Sequence, residues 1–390
     1  MSSAVIVSAV RTAVATSRKG TLANTSGEQL AATILKAAVE RSGIASELID
    51  DVIFAESGYG GGVLARHAAV ELGIFQSGGM AVNRHCAGSL SAVGVAAGAI
   101  LSGMERAIVA GGVMSVSTGP MMRWRVPGTD EVKDFWMPPT HPDSAEAPNM
   151  DMSITVGWNT AQAANLTREE MDAWALRSHQ RAIAAIDAGN FKGEIVPVQA
   201  LQADGSYKSF EVDEHPRRDS SAEKMASLKV LHPEIENFSI TAGNSSGLND
   251  AASALVVTSA DFASGENLTP VAKILGWTAK GANPKNTGIA AIDTIRKLLE
   301  RSGRSASDIA LWEINEAFAS VPLAACRLLG ISEDAVNISG SGCSIGHPIA
   351  ASGGRMLTTL INDRKRRGGG LGIAAMCAGG GQGGAVLIEV

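Results

Sequence analysis

The sequence predicts an α/β protein built from two similar halves, with a segment inserted between them. The tetrapeptide Glu-Arg-Ser-Gly occurs at residues 40–43 and again at 300–303, an offset of 260 residues. In both places a helical pattern rich in Ala, Ile and Leu precedes it, and an apolar strand pattern follows it, over 52–55 and 309–314. A repeated helix–strand unit is typical of α/β folds, in which helices cover the faces of a sheet.

Length, composition and net charge exclude several classes of protein. The chain has 390 residues, 45% of them hydrophobic and 18% charged, with a net charge of −6. At about 100–200 residues per domain this predicts two or three units, and it excludes a disordered chain or a small disulfide scaffold. The negative balance gives no general field for nucleic acid or an anionic membrane, so we expect neither as a partner. The four cysteines form no CxxC pair and no secretory leader pattern is present, so we expect the cytoplasm.

The repeat also brings two turns into correspondence. The offset of 260 carries Cys86 onto Gly346, and each turn opens an Ala-rich helical pattern. A strand pattern rich in Gly, Ala and Val follows each helix, over 107–113 and 371–376. The stretch 86–104 carries no formal charge, but its small residues favour a buried helix over a membrane span. We therefore expect the two turns to face one another.

The segment between the halves is rich in proline. Six of the thirteen prolines fall within 120–148, together with Trp124, Trp136 and several methionines. Such a segment is either a wall around an apolar ligand or a loop packed on the core or on another subunit. Thr167 and the glutamate three residues later predict a capping box that opens a helix, and 202–218 predicts a polar hairpin and loop.

Three side chains are candidates for catalysis. Cys86 precedes a helical pattern, and the dipole of a helix N-terminus favours the nucleophilic thiolate. His347 follows a glycine-rich turn, and Cys377 ends a strand pattern that runs into three glycines. Singly, each residue type in such a place is more often structural than catalytic. Because they end corresponding elements of the repeat, we expect them to converge as nucleophile, base and second acid/base.

Other polar segments leave alternatives open. Asn315 and Glu316 close a strand pattern and are either an ordinary helix cap or part of the site, and 242–250 is either a turn or a ligand loop. No phosphate-binding loop or strand-linked GxGxxG is present. Cys343 and His347 lie four residues apart, as zinc ligands can, but paired short spacings are absent, so we expect no metal.

Taken together, these segments resemble the thiolase family over almost the whole chain. The motifs that carry the resemblance follow in the family's order: 5–12, 83–89, 242–250, 315–319, 346–353 and 377–381. The family fold has two halves stacked as five αβαβα layers, with a loop domain inserted in the first half. The resemblance implies a first half over 1–117 completed by 250–269, a loop domain over 118–249 and a second half over 270–390.

The resemblance implies acyl transfer between a 3-ketoacyl-CoA and coenzyme A, with no metal and no permanently bound cofactor. Cys86 would attack the keto carbon and become acylated, and His347 would take its proton. Cys377 would protonate the released enolate and then deprotonate the incoming thiol. A water positioned by Asn315 would join His347 at one oxyanion, and the backbone N–H groups of Cys86 and Gly379 would hold the other.

The coenzyme A sites and the quaternary structure also follow from the resemblance. Ser246 and Gly247 would lie near the pantetheine, and Arg217 near the nucleotide phosphates. The family implies a homodimer or a homotetramer, with 60–69, including Arg66, as an interface segment.

Three departures from the family pattern bear on function. The common Cys-x-Ser-Gly stands here as Cys-Ala-Gly-Ser over 86–89, and residues 343–344 are Cys-Ser where small apolar residues are usual. The His-Met-Gly of short-chain biosynthetic members is replaced by Met-Ser-Ile at 152–154, which favours a degradative enzyme with a larger acyl group. The alternatives are a ketoacyl synthase-like condensing enzyme and a noncatalytic protein that binds acyl-CoA or lipid.

Overall fold

The computed structural model describes residues 3–59, 63–134 and 139–390. The strands are β1 (Ala4–Thr12), β2 (Ala15–Thr16), β3 (Asp51–Glu56), β4 (Met80–Val82), β5 (Ala107–Met114), β6 (Trp124–Arg125), β7 (Val132–Lys133), β8 (Ile195–Val196), β9 (Val198–Leu201), β10 (Tyr207–Phe210), β11 (Asn249–Ser259), β12 (Ala272–Gly281), β13 (Leu311–Ile314), β14 (Leu371–Ala378) and β15 (Gln382–Glu389). The helices are α1 (Gly27–Ser42), α2 (Leu64–Glu71), α3 (Gly88–Leu101), α4 (Asn159–Ala163), α5 (Arg168–Asp187), α6 (Ala222–Ser227), α7 (Ala260–Gly265), α8 (Thr287–Ser302), α9 (Ser320–Leu329) and α10 (Ser352–Arg366).

The internal repeat is confirmed, with one correction. Helices α1 and α8 begin and end 260 residues apart, and each is followed by a left-handed glycine, Gly43 (φ 75°) and Gly303 (φ 64°). Glycine adopts this helix-ending conformation without a steric penalty, which explains the repeated tetrapeptide. Helices α3 and α10 begin 264 residues apart, as do strands β5 and β14. The predicted match of Cys86 with Gly346 is therefore wrong by four residues, because the second half has a longer turn before its helix.

The strands of the two halves form one continuous sheet. Its order is β13-β14-β15-β12-β1-β11-β5-β3-β4, and the halves meet where β1 and β12 pair antiparallel over two residue pairs. In the first half, β3 follows α1 and runs parallel to β5, which follows α3. In the second half, β13 follows α8 and runs parallel to β14, which follows α10. Parallel pairs require such crossover helices.

Helices α3 and α10 form a central layer between the strands of the two halves. They pack against each other and against strands of both halves, while α1 and α2 cover the first half and α8 and α9 cover the second. A Cβ on Gly353 would lie 2.7 Å from the backbone nitrogen of Leu90, so the two helices approach at a glycine. The predicted five-layered αβαβα arrangement is confirmed.

The inserted segment carries the predicted capping box, since Thr167 and Glu170 form it at the start of α5. The hairpin predicted within 202–218 begins earlier, because β9 and β10 pair over 198–210 and turn over 202–206. Trp136 lies outside the described residues, and the predicted domain boundaries remain predictions. Among the residues that the structure describes, we find no helix long and apolar enough to cross a membrane.

A buried ion cluster fastens the insertion to β1. The Arg11 guanidinium donates to Glu194 at 2.6 Å and to both carboxylate oxygens of Asp213 at 2.8 and 2.9 Å, and all three side chains are fully buried. The guanidinium also lies 4.8 Å from the centre of the Phe191 ring. Because both carboxylates are paired with one guanidinium, removing it would leave two buried carboxylates without their ion-pair partner.

We expect Arg11→Ala to lower the free energy of unfolding by about 3–5 kcal/mol, the usual cost of breaking a buried ion pair. The matched control is Arg123→Ala, because Arg123 pairs with Asp134 on the surface, where the two side chains are 68% and 83% exposed. The control should change the free energy by less than about 1 kcal/mol. Equilibrium urea unfolding measures both, and equal losses would contradict the assignment.

Candidate active site

Cys86 lies in a short 3-10 turn, His85–Ala87, immediately before α3. The turn packs against β14 and against a second 3-10 turn, Ile349–Ala351, that leads into α10. The backbone N–H groups of Cys86 and Gly379 lie close enough to the thiol to stabilise a negative charge there. Burial nevertheless raises the pKa of the Cys86 thiol to about 11, so the thiol is protonated at neutral pH and needs a base.

Cys377 is the second thiol of the site. It lies near the end of β14, where it pairs with Gly383, just before the tight turn over 379–381. The side chain is 2% exposed. Burial raises the pKa of the Cys377 thiol, and the neighbouring Cys86 raises it further. The two thiols are therefore close together, and each is neutral in the absence of substrate.

His347 supplies the imidazole. Its Nδ1 lies 2.6 Å from the Ser352 hydroxyl, and the amide nitrogen of Asn315 lies 3.3 Å from Nδ1 and 3.5 Å from Nε2. Burial and the nearby Arg355 guanidinium lower the pKa of His347 to about 3. The imidazole is therefore neutral at physiological pH and can accept a proton.

Backbone contacts fix the His347 turn. The His347 N–H donates to Asn249 Oδ1 at 2.9 Å, and a Cβ on Gly346 would lie 2.6 Å from the same side chain. Gly346 has a φ of 113°, which disfavours any other residue. Arg355 donates to the Ser341 hydroxyl at 2.9 Å and so holds the start of the same turn.

Asn315 faces this imidazole from the end of β13. Its backbone N–H donates to the Ala375 carbonyl at 3.0 Å, and its side chain is fully buried. The amide oxygen is buried and has no hydrogen-bond partner within the described ranges. An unsatisfied buried acceptor is costly, so this oxygen is suited to hold a water or a substrate donor.

Glu316 is a residue whose role sequence reasoning missed. The sequence favours a helix cap, but the N-cap of α9 is Ala319, and the Glu316 carboxylate is buried. The carboxylate oxygens accept four hydrogen bonds of 2.6–3.0 Å, from the Trp174 indole, the Ser178 hydroxyl, the Asn337 amide and the Cys343 backbone N–H. The cluster joins α5 of the insertion to the turn that carries His347. No sequence motif identifies it, since its members lie up to 169 positions apart in the chain.

The residues predicted to bind coenzyme A, which are Ser246, Gly247 and Arg217, follow one another along a strip beside this site. The segment 245–248 runs between the turn after β13 and the turn that carries His347, because Ser245 bridges to Phe318 and Leu248 bridges to His347. The Ser246 N–H donates to the Ala317 carbonyl at 2.9 Å. The loop is therefore fixed directly next to His347.

The strip continues to Arg217 through a histidine. A Cβ on Gly247 would lie 2.7 Å from Nε2 of His215, whose Nδ1 lies 2.8 Å from the Ser344 carbonyl oxygen. Two residues later, the backbone N–H of Arg217 donates to Nδ1 of His179 at 3.1 Å, and the Arg217 side chain is exposed. The Arg217 guanidinium therefore lies at the outer end of the strip.

Close contacts and hydrogen bonds hold the two turns that depart from the family pattern, at 86–89 and 343–344. A Cβ on Gly88 would lie 2.7 Å from the Ala55 Cβ, so glycine fits the close contact at the start of α3. The Ser89 hydroxyl, one residue later, accepts the Gly354 N–H at 3.0 Å and joins the two central helices. Cys343 is held by Glu316, as described above. All four cysteines are free thiols, and no group of metal-ligating side chains occurs in the described residues.

Comparisons with known proteins agree with this arrangement. Residues 4–261 match the family "Thiolase, N-terminal domain", and residues 268–390 match "Thiolase, C-terminal domain". The chain is 38% identical to the acetyl-CoA acetyltransferase of Escherichia coli (strain K12), over 100% of this chain and 99% of that protein. It is also similar to two crystal structures. One is the Bacillus anthracis acetyl-CoA acetyltransferase, with a TM-score of 0.89, 38% identity and coverage of 100% and 99%. The other is human mitochondrial 3-ketoacyl-CoA thiolase, with a TM-score of 0.91, 30% identity and coverage of 100% and 98%. This chain belongs to the thiolase family of acyltransferases.

Proposed function

We propose that this enzyme transfers acyl groups between a 3-ketoacyl-CoA and coenzyme A through an acyl-thioester on Cys86. The observation that carries the proposal is that the Cys86 turn contacts both β14, which carries Cys377, and the 3-10 turn that follows His347. The Gly379 N–H lies beside the Cys86 thiol, both thiols are neutral, and the His347 imidazole is neutral as well. A thiolate is a good leaving group, so the exchange of an acyl group between thiols does not depend on help for the leaving group. What it requires is proton transfer and stabilisation of the oxyanion.

The first half-reaction breaks a carbon–carbon bond. His347 takes the proton of Cys86 as sulfur attacks the keto carbon, and the oxyanion is stabilised by the imidazole and by a water on Asn315. The bond between C2 and C3 then breaks, its electron pair passes to the acetyl-CoA enolate, and Cys377 protonates that enolate. The acyl group remains on Cys86.

The second half-reaction releases the acyl group. The Cys377 thiolate takes the proton of an incoming coenzyme A thiol, and the coenzyme A sulfur attacks the acyl carbon. The backbone N–H groups of Cys86 and Gly379 stabilise this oxyanion, and Cys86 leaves as a thiolate that recovers its proton through His347. Each group ends in its starting state, as a catalytic cycle requires.

Coenzyme A would lie along the strip from Ser246 and Gly247 to Arg217. The rigid loop next to His347 suits the pantetheine, and the exposed guanidinium of Arg217 suits a phosphate. Coenzyme A enters as a substrate, and the mechanism uses no permanently bound cofactor or metal.

A degradative enzyme with a larger acyl group is favoured by the insertion. Residues 152–154, which replace the His-Met-Gly stretch, form the start of a π-helix, Ser153–Trp158, with Met152 as its N-cap. A Cβ on Gly157 of this helix would lie 2.9 Å from the Phe318 ring, which links the insertion to the turn after Asn315. An open cleft of about 980 Å³ lies in the same insertion and offers room for an acyl chain.

We also propose a homodimer or homotetramer in the cytoplasm. Strand β4 ends the sheet, and exposed apolar side chains lie near it, including Phe75 (68% exposed) and Met80 (37%). Unpaired edges and apolar patches are typical of subunit interfaces. Of the predicted interface segment, 60–62 lie outside the described residues, and the Arg66 guanidinium donates within the chain to the Ser77 carbonyl at 2.6 Å.

We expect Cys86→Ala to lower kcat for thiolysis of 3-ketoacyl-CoA by about 10³-fold or more, because it removes the nucleophile. The matched control is Cys326→Ala, a buried free thiol on α9 away from the site, which should leave kcat within about twofold. Loss of ketoacyl-CoA absorbance with free coenzyme A measures both, over a panel of acyl chain lengths. A wild-type protein that binds acyl-CoA but cleaves none of the panel would favour the noncatalytic alternative.

The pH profile should show no histidine inflection near 6.5. With the pKa of His347 at about 3 and that of Cys86 at about 11, the neutral thiol–imidazole pair predominates across the physiological range. We therefore expect kcat/KM for the ketoacyl-CoA, which reports on the free enzyme, to vary less than about twofold between about pH 6 and pH 8. A decade of loss for each unit below pH 6.5 would show that the imidazole is protonated there and would contradict this assignment.

Arg217→Ala should raise KM for coenzyme A about tenfold with little change in kcat, because a charged phosphate contact is lost far from the reacting atoms. The matched control is Arg218→Ala, since the neighbouring guanidinium is already bonded to Asp187 at 2.9 Å. The effect of Arg217→Ala should decrease at high salt, because the contact is exposed. An equal rise of KM in both variants would mean that the phosphates lie elsewhere.

A further inference from the structure

The proposed mechanism leaves one imidazole of the site unused. His85 directly precedes Cys86, and its ring atoms Cγ and Cδ2 each lie 3.7 Å from the position that a Cβ on Gly379 would occupy. The side chain is partly exposed, and neither ring nitrogen has a hydrogen-bond partner in the part of the chain that is described. A histidine beside the acyl-accepting thiol is therefore free to bind a ligand.

The backbone of His85 is held in an uncommon conformation. Its φ is 44°, in the left-handed region that most residues other than glycine avoid, although histidine enters it more often than most. The Asn83 side-chain oxygen accepts the His85 N–H at 2.8 Å and supports this turn. Such strain persists where the surrounding structure maintains it, and it is common at ligand sites. The backbone that carries the imidazole is thus fixed before substrate binds.

Thr140 of the insertion contacts the same position above Gly379. Its methyl group lies 3.4 Å from the point from which the His85 ring lies 3.7 Å. The Thr140 hydroxyl lies 2.7 Å from Nδ1 of His141 and 2.9 Å from Oδ1 of Asn149, which fixes the side chain. The space that these two side chains border, the passage, is therefore lined by an imidazole and by a methyl group.

The passage adjoins the cleft in the insertion. Thr140 also lines this cleft of about 980 Å³, together with prolines and Met150. Asp143 and Asp151 are its charged members, and its described lining includes no lysine or arginine. A cleft of this kind accepts bulky apolar groups and disfavours anions.

We propose that His85 is a specificity-determining residue that hydrogen-bonds a neutral oxygen, a hydroxyl or a carbonyl, on the acyl group of the 3-ketoacyl-CoA. This inference rests on the proposed function. An acyl group on Cys86 whose oxygen meets the Gly379 N–H leaves the thioester beside Gly379, and its chain passes between His85 and Thr140 toward the cleft. One imidazole nitrogen donates to the acyl oxygen and the other can accept from a hydroxyl.

The charges of His85 and of the cleft disfavour a carboxylated acyl group. Burial lowers the pKa of His85, so its imidazole is neutral and offers no cation at physiological pH. Asp143 would repel an anion in the cleft, whereas the charge of Asp151 is already paired with His232 at 2.7 Å. The substrate class is therefore a ketoacyl thioester with a larger, uncharged and oxygenated acyl group.

The test uses 3-ketoacyl-CoA substrates of three chain lengths, each with a methyl, a hydroxymethyl or a carboxylate end. For wild-type enzyme we expect kcat/KM for the hydroxylated substrate to exceed that for the alkyl substrate about tenfold at one chain length, and the carboxylate to be poorest. The preference should disappear in His85→Phe and persist in His85→Gln, which retains a donor and an acceptor. Equal kcat/KM for hydroxylated and alkyl substrates in the wild type would overturn the proposal without any variant.

Acetoacetyl-CoA separates this inference from the proposed function, because its acyl group carries no further oxygen for His85 to bind. We expect the wild type to cleave it, and we expect His85→Phe and His85→Gln to change its kcat/KM by the same factor. If the wild type cleaves neither acetoacetyl-CoA nor any longer substrate, the proposed function itself fails. If His85→Phe is folded but loses acetoacetyl-CoA cleavage that His85→Gln retains, His85 acts on the reaction rather than on the choice of acyl group, and the inference fails alone.

Discussion

The close packing of α3 against α10 is the constraint on which the rest of the structure depends. The two helices can approach because Gly353 leaves room for the backbone of Leu90, and the Ser89 hydroxyl joins α3 to the Gly354 N–H. Their N-terminal turns consequently touch, which brings Cys86 from one half and the turn after His347 from the other into one site. Neither half of the chain holds the complete set of reactive groups.

Burial has a second effect, on the charges of these groups. It keeps both thiols protonated and the imidazole unprotonated, so the resting site carries no ion that would have to be stripped of water when substrate enters. In the proposed cycle, negative charge develops only as bonds change, next to the backbone N–H groups of Cys86 and Gly379. Fixed dipoles stabilise such transient charge without reorganising, which is the usual source of large rate enhancement.

Much of this architecture was predictable from the sequence because the relevant signals are local. Glycines that end helices and a capping box each act over a few residues. So do the signals that located Cys86, His347 and Cys377, which are a helix start, a glycine-rich turn and a strand that runs into glycines. The role of Glu316 was not predictable, because its four donors are distant in the chain and meet only in the folded protein. The shift of the repeat from 260 to 264 residues was also missed, since an insertion within a glycine-rich turn leaves no periodic trace.

The central layer of α3 and α10 also determines whether the two halves could be made as separate chains. Helix α3 carries no charged side chain and is buried by strands of both halves, whereas the two parts of the sheet are joined by only two residue pairs within the described strands. A first half made alone would expose this apolar helix, and a second half made alone would lose the surface that covers α10. The halves therefore relate to each other as the subunits of an obligate heterodimer that share one polypeptide.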